Sequence, residues 1–150
     1  MSHTRLIYHV VFRTYNSDRS IVETHEKELY NHIYSFCKST GCLLYRIGGM
    51  PDHIHILVEI PPTISVATFV QRVKLSSGNF IKWNKLLFPQ FRGWGKGYFA
   101  ASYCKEEVPR IYNYIKNQKT HHKSQILKTE IKSLLNNSGI KYDEKYILEE

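Results

Sequence analysis

Residues 51–60 read Pro51-Asp52-His53-Ile54-His55-Ile56-Leu57-Val58-Glu59-Ile60, and their alternation decides how the chain must fold. Side chains two apart on a strand share a face, so Ile54, Ile56, Val58 and Ile60 point one way and His53, His55, Leu57 and Glu59 the other. The apolar set must be covered by helices. The opposite face then carries two imidazoles side by side, close enough to ligate one metal ion through their ring nitrogens. Alone, a His-x-His pair is a weak signal, because histidine is also tolerated on a half-exposed strand. Pro61 and Pro62 end the strand, since proline has no N–H for a ladder.

Upstream, residues 42–47 read as a strand ending at Gly48-Gly49, and residues 5–13 as a first strand rich in β-branched and aromatic types, followed by the turn-like run Asn16 to Ser20. Between them Leu29, Ile33 and Phe36 recur at helical spacing from about Val22 to Thr40, with Gly41 at the place of a left-handed cap. Downstream, Ser65 suits the N-cap of a second helix. Its apolar stripe is Val66, Phe69, Val70, Val73 and Phe80, which turns Arg72, Lys74 and Lys82 outward and leaves the far end open at Gly78. Residues 88–97 are glycine-rich, aromatic and basic, a loop into a strand at 98–104. A last long helix is expected from near Glu106, with Pro109 in its first turn, running past His122 with room for a break. The order strand, helix, strand, strand, helix, strand, helix predicts an α+β, ferredoxin-like (split βαβ, RRM-like) antiparallel sheet. Its helices lie on one face, with an additional C-terminal helix. One domain spans residues 1–150, with a core at about 5–127 and a tail at 128–150. That tail packs against either the domain or a partner.

On the last helix Tyr114 and Gln118 are four apart and share a face, with His121 and His122 on or near it. Tyr112, six from Gln118, is out of register. A nucleophile and a neutral amide ligand can thus be offered together, although on spacing alone a core tyrosine beside a solvated glutamine is the favoured account.

A net charge of +8 and a pI of about 9.4 fit a polyanionic partner, without selecting DNA over RNA or an anionic membrane. No apolar run approaches the roughly 18 residues of a membrane span, and the N-terminus lacks a signal-peptide pattern. A cytoplasmic, nucleoid-associated protein with no membrane is expected. Cys37, Cys42 and Cys104 form no C-x-x-C pair, so reduced and mostly buried thiols are expected rather than a disulfide framework.

Three motifs occur in order: Gly49-Met50-Pro51-Asp52-His53-Ile54-His55-Ile56-Leu57-Val58, then Trp94-Gly95-Lys96-Gly97-Tyr98-Phe99-Ala100, then Tyr114-Ile115-Lys116-Asn117-Gln118. Over about residues 5–122 the chain resembles the single-tyrosine HUH transposases of the IS200/IS605 group and their REP-associated relatives. The resemblance implies a DNA transposase in which Tyr114 is the nucleophile, His53 and His55 are the metal pair and Gln118 is the third ligand. His121 and His122 are similar to a His-His pair frequent in the REP-associated branch. It further implies single-stranded DNA hairpins as substrate, a 5'-phosphotyrosine intermediate with a free 3'-hydroxyl, and a homodimer whose active sites can be shared between subunits. Two imidazoles and an amide make a fairly hard site, so Mg²⁺ or Mn²⁺ is expected, with Zn²⁺ or Ni²⁺ able to occupy it in crystals. Candidates for DNA contact are Arg5, Arg13, Arg72, Lys74, Arg92 and Lys96, with Trp94 or Tyr98 available for stacking. Two readings compete. One is a non-catalytic single-stranded nucleic-acid-binding module of RRM-like fold, and the other a metal phosphodiesterase in which water, not tyrosine, attacks.

Overall fold

Two hydrophobic strands at the centre of one sheet organise the rest of the chain. The computed structural model describes residues 2–121 and 126–147. Strands β1 (Ile7–Arg13), β2 (Leu43–Met50), β3 (His53–Glu59) and β4 (Phe99–Tyr103) form one antiparallel sheet in the order β2-β3-β1-β4. This is the split βαβ order, and it puts β1 and β3 inside, where both faces can be covered. Every residue of β3 from His53 to Val58 is buried.

Helices α1 (Glu26–Ser39) and α2 (Val66–Trp83) pack on the face that carries Val10, Phe12, Ile54, Ile56 and Val58. They contribute Leu29, Ile33 and Cys37 from α1 and Phe69, Val70, Val73 and Ile81 from α2. Ser65 caps α2 by accepting the Thr68 N–H at 3.0 Å, and Gly41 after α1 takes a φ of +77°. Gly78 does not end α2. The helix runs on to Trp83, with the Trp94 indole in ordinary contact beside the glycine. Helix α1 begins later than the apolar spacing implies, with a 3-10 turn at Glu23–His25 before it. Cys37 and Cys42 are buried, and burial pushes the Cys37 thiol up to about 12.

The other face is covered by α3 (Val108–Lys116), whose Ile111 and Ile115 pack on Ile7 and Leu57. Sequence alone ended β2 at the glycine pair, yet the strand continues through Gly48 and Gly49 to Met50. The reason is close approach rather than a turn. A Cβ on Gly48 would lie 2.7 Å from the Ile115 carbonyl oxygen, and one on Gly49 would collide with the His53 carbonyl. The long last helix is in fact three pieces: α3, then α4 (Gln118–His121) after a break at Asn117, then α5 (Leu127–Asn137). Pro109 sits in the first turn of α3, where its missing N–H costs nothing. Lys119 of α4 donates to Glu26 of α1 and to the Gly49 carbonyl, which fixes the break against the sheet. His122 and the side chain of His121 lie outside the described residues.

Candidate active site

The strand pairing brings His55 and His9 together. His9 on β1 faces Leu57, so His55 is its diagonal neighbour, and the two rings stack at 5.1 Å with His9 Nε2 2.8 Å from His55 Nδ1. Burial first, and His55 next, hold His9 far below its ordinary pKa, so it is neutral. On the next pleat His53 donates from Nδ1 to Asp52 Oδ1 at 2.7 Å, and Asp52 lies in the two-residue turn joining β2 to β3. Each imidazole is therefore held through Nδ1, leaving both Nε2 atoms facing the same point. That is the arrangement by which outer residues orient metal-binding histidines.

Close approach of α3 to Gly48 carries Tyr114 to this face. Its ring lies 5.7 Å from His55 and 6.0 Å from His9, edge to face in both cases. Gln118, one turn later in α4, is buried, with Oε1 3.3 Å from His53 Nε2. The expected quartet of His53, His55, Tyr114 and Gln118 is thus brought together within one chain.

A fifth group completes it. Glu130 of α5 has no exposed surface, and its Oε1 lies 3.1 Å from His53 Nε2 and 3.2 Å from His55 Nε2. Its Oε2 accepts from Gln118 Nε2 at 2.9 Å and from the Tyr114 hydroxyl. Sequence reasoning missed it, leaving residues 128–150 as an unassigned tail. A signal was present: Leu127, Glu130, Ile131 and Leu134 fall on one helical face, so a carboxylate occupies an otherwise apolar stripe.

The charges are coupled. Desolvation works against ionisation of Glu130, but the His53 and His55 hydrogen bonds overcome it and hold the carboxyl far below the usual range. His53 is itself opposed by burial, yet Asp52 and Glu130 raise it to about 9, so without a cation it is an imidazolium between two carboxylates. Burial, then the charge of Glu130, push the Tyr114 phenol up, which keeps it protonated at neutral pH. Among the described residues, His53, His55 and Glu130 form the group suited to a metal ion, their ligand atoms all within 4.8 Å of one another. Separations near 3 Å are those of neighbouring ligands around a small divalent ion with bonds of about 2.1 Å. Gln118 Oε1 supplies a fourth donor at similar range.

The basic candidates are spread more widely. Arg5 pairs with Glu59 at 2.8 Å, and Arg92 makes a two-pronged contact with Asp18 at 2.7 and 2.9 Å. Arg13 is buried, with Nη1 2.9 Å from Ser17 Oγ, while Arg72 and Lys96 are exposed. Lys74 is not turned fully outward: it donates to the Gly95 and Gly97 carbonyls at 2.9 and 2.8 Å and so organises the glycine-rich loop. Trp94 anchors that loop, its Nε1 donating to Ser77 and its ring meeting Phe12 and Phe91 edge-on. Tyr98 is exposed. No helix among the described residues is long and apolar enough to cross a membrane.

The family model described as "Transposase IS200 like" matches residues 2–118. The transposase for insertion sequence element IS200 of Salmonella typhimurium is 27% identical over 125 residues, covering 79% of this chain and 81% of that protein, and its Salmonella typhi counterpart matches to the same extent. A crystal structure of a candidate transposase from Deinococcus radiodurans R1 superposes with a TM-score of 0.60 at 24% identity, over 78% of this chain and 93% of that one. A REP-associated tyrosine transposase bound to a REP hairpin superposes with a TM-score of 0.60 at 12% identity, over 81% and 74%. Both structures share the fold.

Proposed function

The chain belongs to the IS200-like transposase family, and on that premise we propose that it cleaves and rejoins single-stranded hairpin DNA through a 5'-phosphotyrosine on Tyr114. One observation carries the reading: the Tyr114 phenol and the imidazoles of His53 and His55 meet at one buried carboxylate, Glu130. In the proposal His53, His55 and Glu130 hold a divalent ion, Mg²⁺ or Mn²⁺, with Gln118 as a further donor. When bound, the ion offsets charge on the phosphate and orients it.

The chain's own groups do the rest. Asp52 and His9 hold the two imidazoles in the tautomer that frees Nε2. Tyr114 enters protonated, so its proton leaves as the oxygen attacks rather than beforehand. Glu130 Oε2, already accepting from that hydroxyl, holds the phenol oxygen in place while its proton passes to solvent. The tyrosine oxygen forms a bond to phosphorus while the bond from phosphorus to the 3' oxygen breaks. The 3' oxygen leaves with the electron pair and takes a proton from solvent. An incoming 3'-hydroxyl reverses these steps, so bond energy is conserved and no nucleotide triphosphate is consumed. We include in the proposal hairpin substrates, a homodimer, and phosphate contacts by Arg72 and Lys96, which are exposed.

The test is incubation of 3'-end-labelled, palindrome-bearing single-stranded DNA with the protein and Mn²⁺, followed by denaturing electrophoresis. The expected result is a label retarded on protein that disappears with EDTA and with His53→Ala. A binding-only module gives no retarded label under denaturing conditions. A phosphodiesterase gives cut DNA with free 5'-phosphate and no trapped protein.

A further inference from the structure

Tyr114 is half-buried, and its accessible side forms part of the wall of a cavity of about 730 Å³ between β4, α3 and the end of α5. Ala101 is on one wall and Asn137 on the other, and Tyr103 and Arg110 stand nearer the surface, the guanidinium 5.8 Å over the Tyr103 ring. The inner wall is reached by His9, which is fully buried. Its Nε2 is engaged with His55, while its Nδ1 has no hydrogen-bond partner among the described residues. A buried ring nitrogen without a partner is uncommon, because an unmet polar group away from water is costly. Its place on a concave surface beside the nucleophile points to a ligand that brings the partner. The cavity falls in the size range of small-ligand sites, roughly 300–1,000 Å³, and combines aromatic and aliphatic walls with a few polar groups.

Resting on the strand-transfer reading above, we propose that this cavity seats the base of the nucleotide next to the scissile phosphate, extruded from the strand. A phosphate that reaches Tyr114 from outside must bring its neighbouring nucleotide along this wall, since Tyr114 and the cavity share a surface. Bases have apolar faces and polar edges, which matches aromatic side chains for stacking and a buried imidazole nitrogen for an edge contact. Arg110, exposed and paired with Glu107 at 2.7 Å at the rim, lies where the backbone phosphate of that nucleotide passes.

The experiment uses the full chain and single-stranded oligonucleotides that tile the DNA on either side of its own gene. Cleavage by the wild-type protein with Mn²⁺ maps the junction, and an abasic site is then put on either side of it. One of the two abasic oligonucleotides should bind about tenfold more weakly than the intact one, the loss expected for one stacked base. Ala101→Phe and Asn137→Phe, which fill the cavity from opposite walls, should weaken binding of the intact oligonucleotide to the same degree and leave the abasic one unaffected. Asn137 is exposed, so its variant folds even if Ala101→Phe does not. If the adduct forms but both abasic oligonucleotides bind like the intact one, or if a folded, filled variant binds intact DNA like wild type, the cavity proposal is overturned and the strand-transfer reading stands. If no oligonucleotide is cleaved or trapped, that reading fails and takes the cavity proposal with it.

Discussion

A carboxylate removed from water costs several kcal/mol unless its charge is met, and Glu130 is met by His53, His55, Tyr114 and Gln118. Removing it leaves an imidazolium and a phenol without their buried partner. Glu130→Ala should therefore destabilise the metal-free protein by about 3 kcal/mol, the cost of breaking a buried charge pair, read from urea unfolding; a loss below about 1 kcal/mol would mean that Glu130 does not sit in the site in solution. His9 acts at one remove, through the Nδ1 of His55. His9→Phe keeps the bulk and loses the hydrogen bond, so Mn²⁺ affinity by calorimetry should fall roughly tenfold or more, as for other outer-layer partners of metal ligands. Unchanged affinity would show that His55 is oriented without it. These two residues also mark what the sequence conceals. Strand alternation singles out His53 and His55 as a pair, whereas Tyr114 and Gln118 stand out only through the family resemblance, since their helical spacing alone fits a core tyrosine beside a solvated glutamine. Glu130 lies in a lysine-rich segment where a glutamate ordinarily faces water, and His9 becomes informative only once the β1–β3 register is known.

At the scale of elements, the β2–β3 hairpin does two jobs that a residue pattern alone cannot separate. Gly48 lets α3 lie close on β2, Gly49 makes room for the neighbouring β3 backbone, and the turn supplies Asp52 to His53. The alternation in residues 53–59 is enough to define β3, whereas Gly48 and Gly49 read as a strand end because the groups that crowd them, α3 for Gly48 and the β3 backbone for Gly49, are set by the folded chain and not by the local sequence. Gly48→Ala should cost about 2 kcal/mol through overpacking against Ile115, lowering the melting temperature by roughly 4–8 °C, and should displace Tyr114 enough to depress activity further. Gly41→Ala is the control: nothing lies within 4 Å of a Cβ there, so the φ of +77° alone should cost about 1–2 kcal/mol of backbone strain and leave activity unchanged. Equal effects of the two on activity would mean that α3 is not positioned by its approach to Gly48. The break at Asn117 was anticipated only as room for one. It is held by the contacts of Lys119 to α1 and β2, which are long-range and so invisible in the local sequence.

Across the whole molecule the proposed metal site ties proton binding to stability. His53 is raised from 6.5 to about 9 in the folded protein, so its contribution to stability is complete below about pH 6.5 and is lost as pH rises through 9. Glu130 is depressed from 4.5, so its contribution is present above that pH and is lost as pH falls below it. With EDTA present, the site's contribution should be greatest between about pH 4.5 and 6.5 and decline toward 9. A divalent ion needs a neutral His53, so the stabilisation by Mn²⁺ should grow over the same rise. Melting curves with EDTA and with Mn²⁺ at successive pH values check this, and a gap that narrows as pH rises would contradict it. The central claim, that Tyr114 is the group joined to DNA, is tested most directly by mass spectrometry of the trapped species after nuclease and protease digestion. The account predicts a nucleotide phosphate on the tyrosine of the peptide that contains Tyr114, and none in Tyr114→Phe. Modification at Tyr112, or an adduct that survives in Tyr114→Phe, would contradict it.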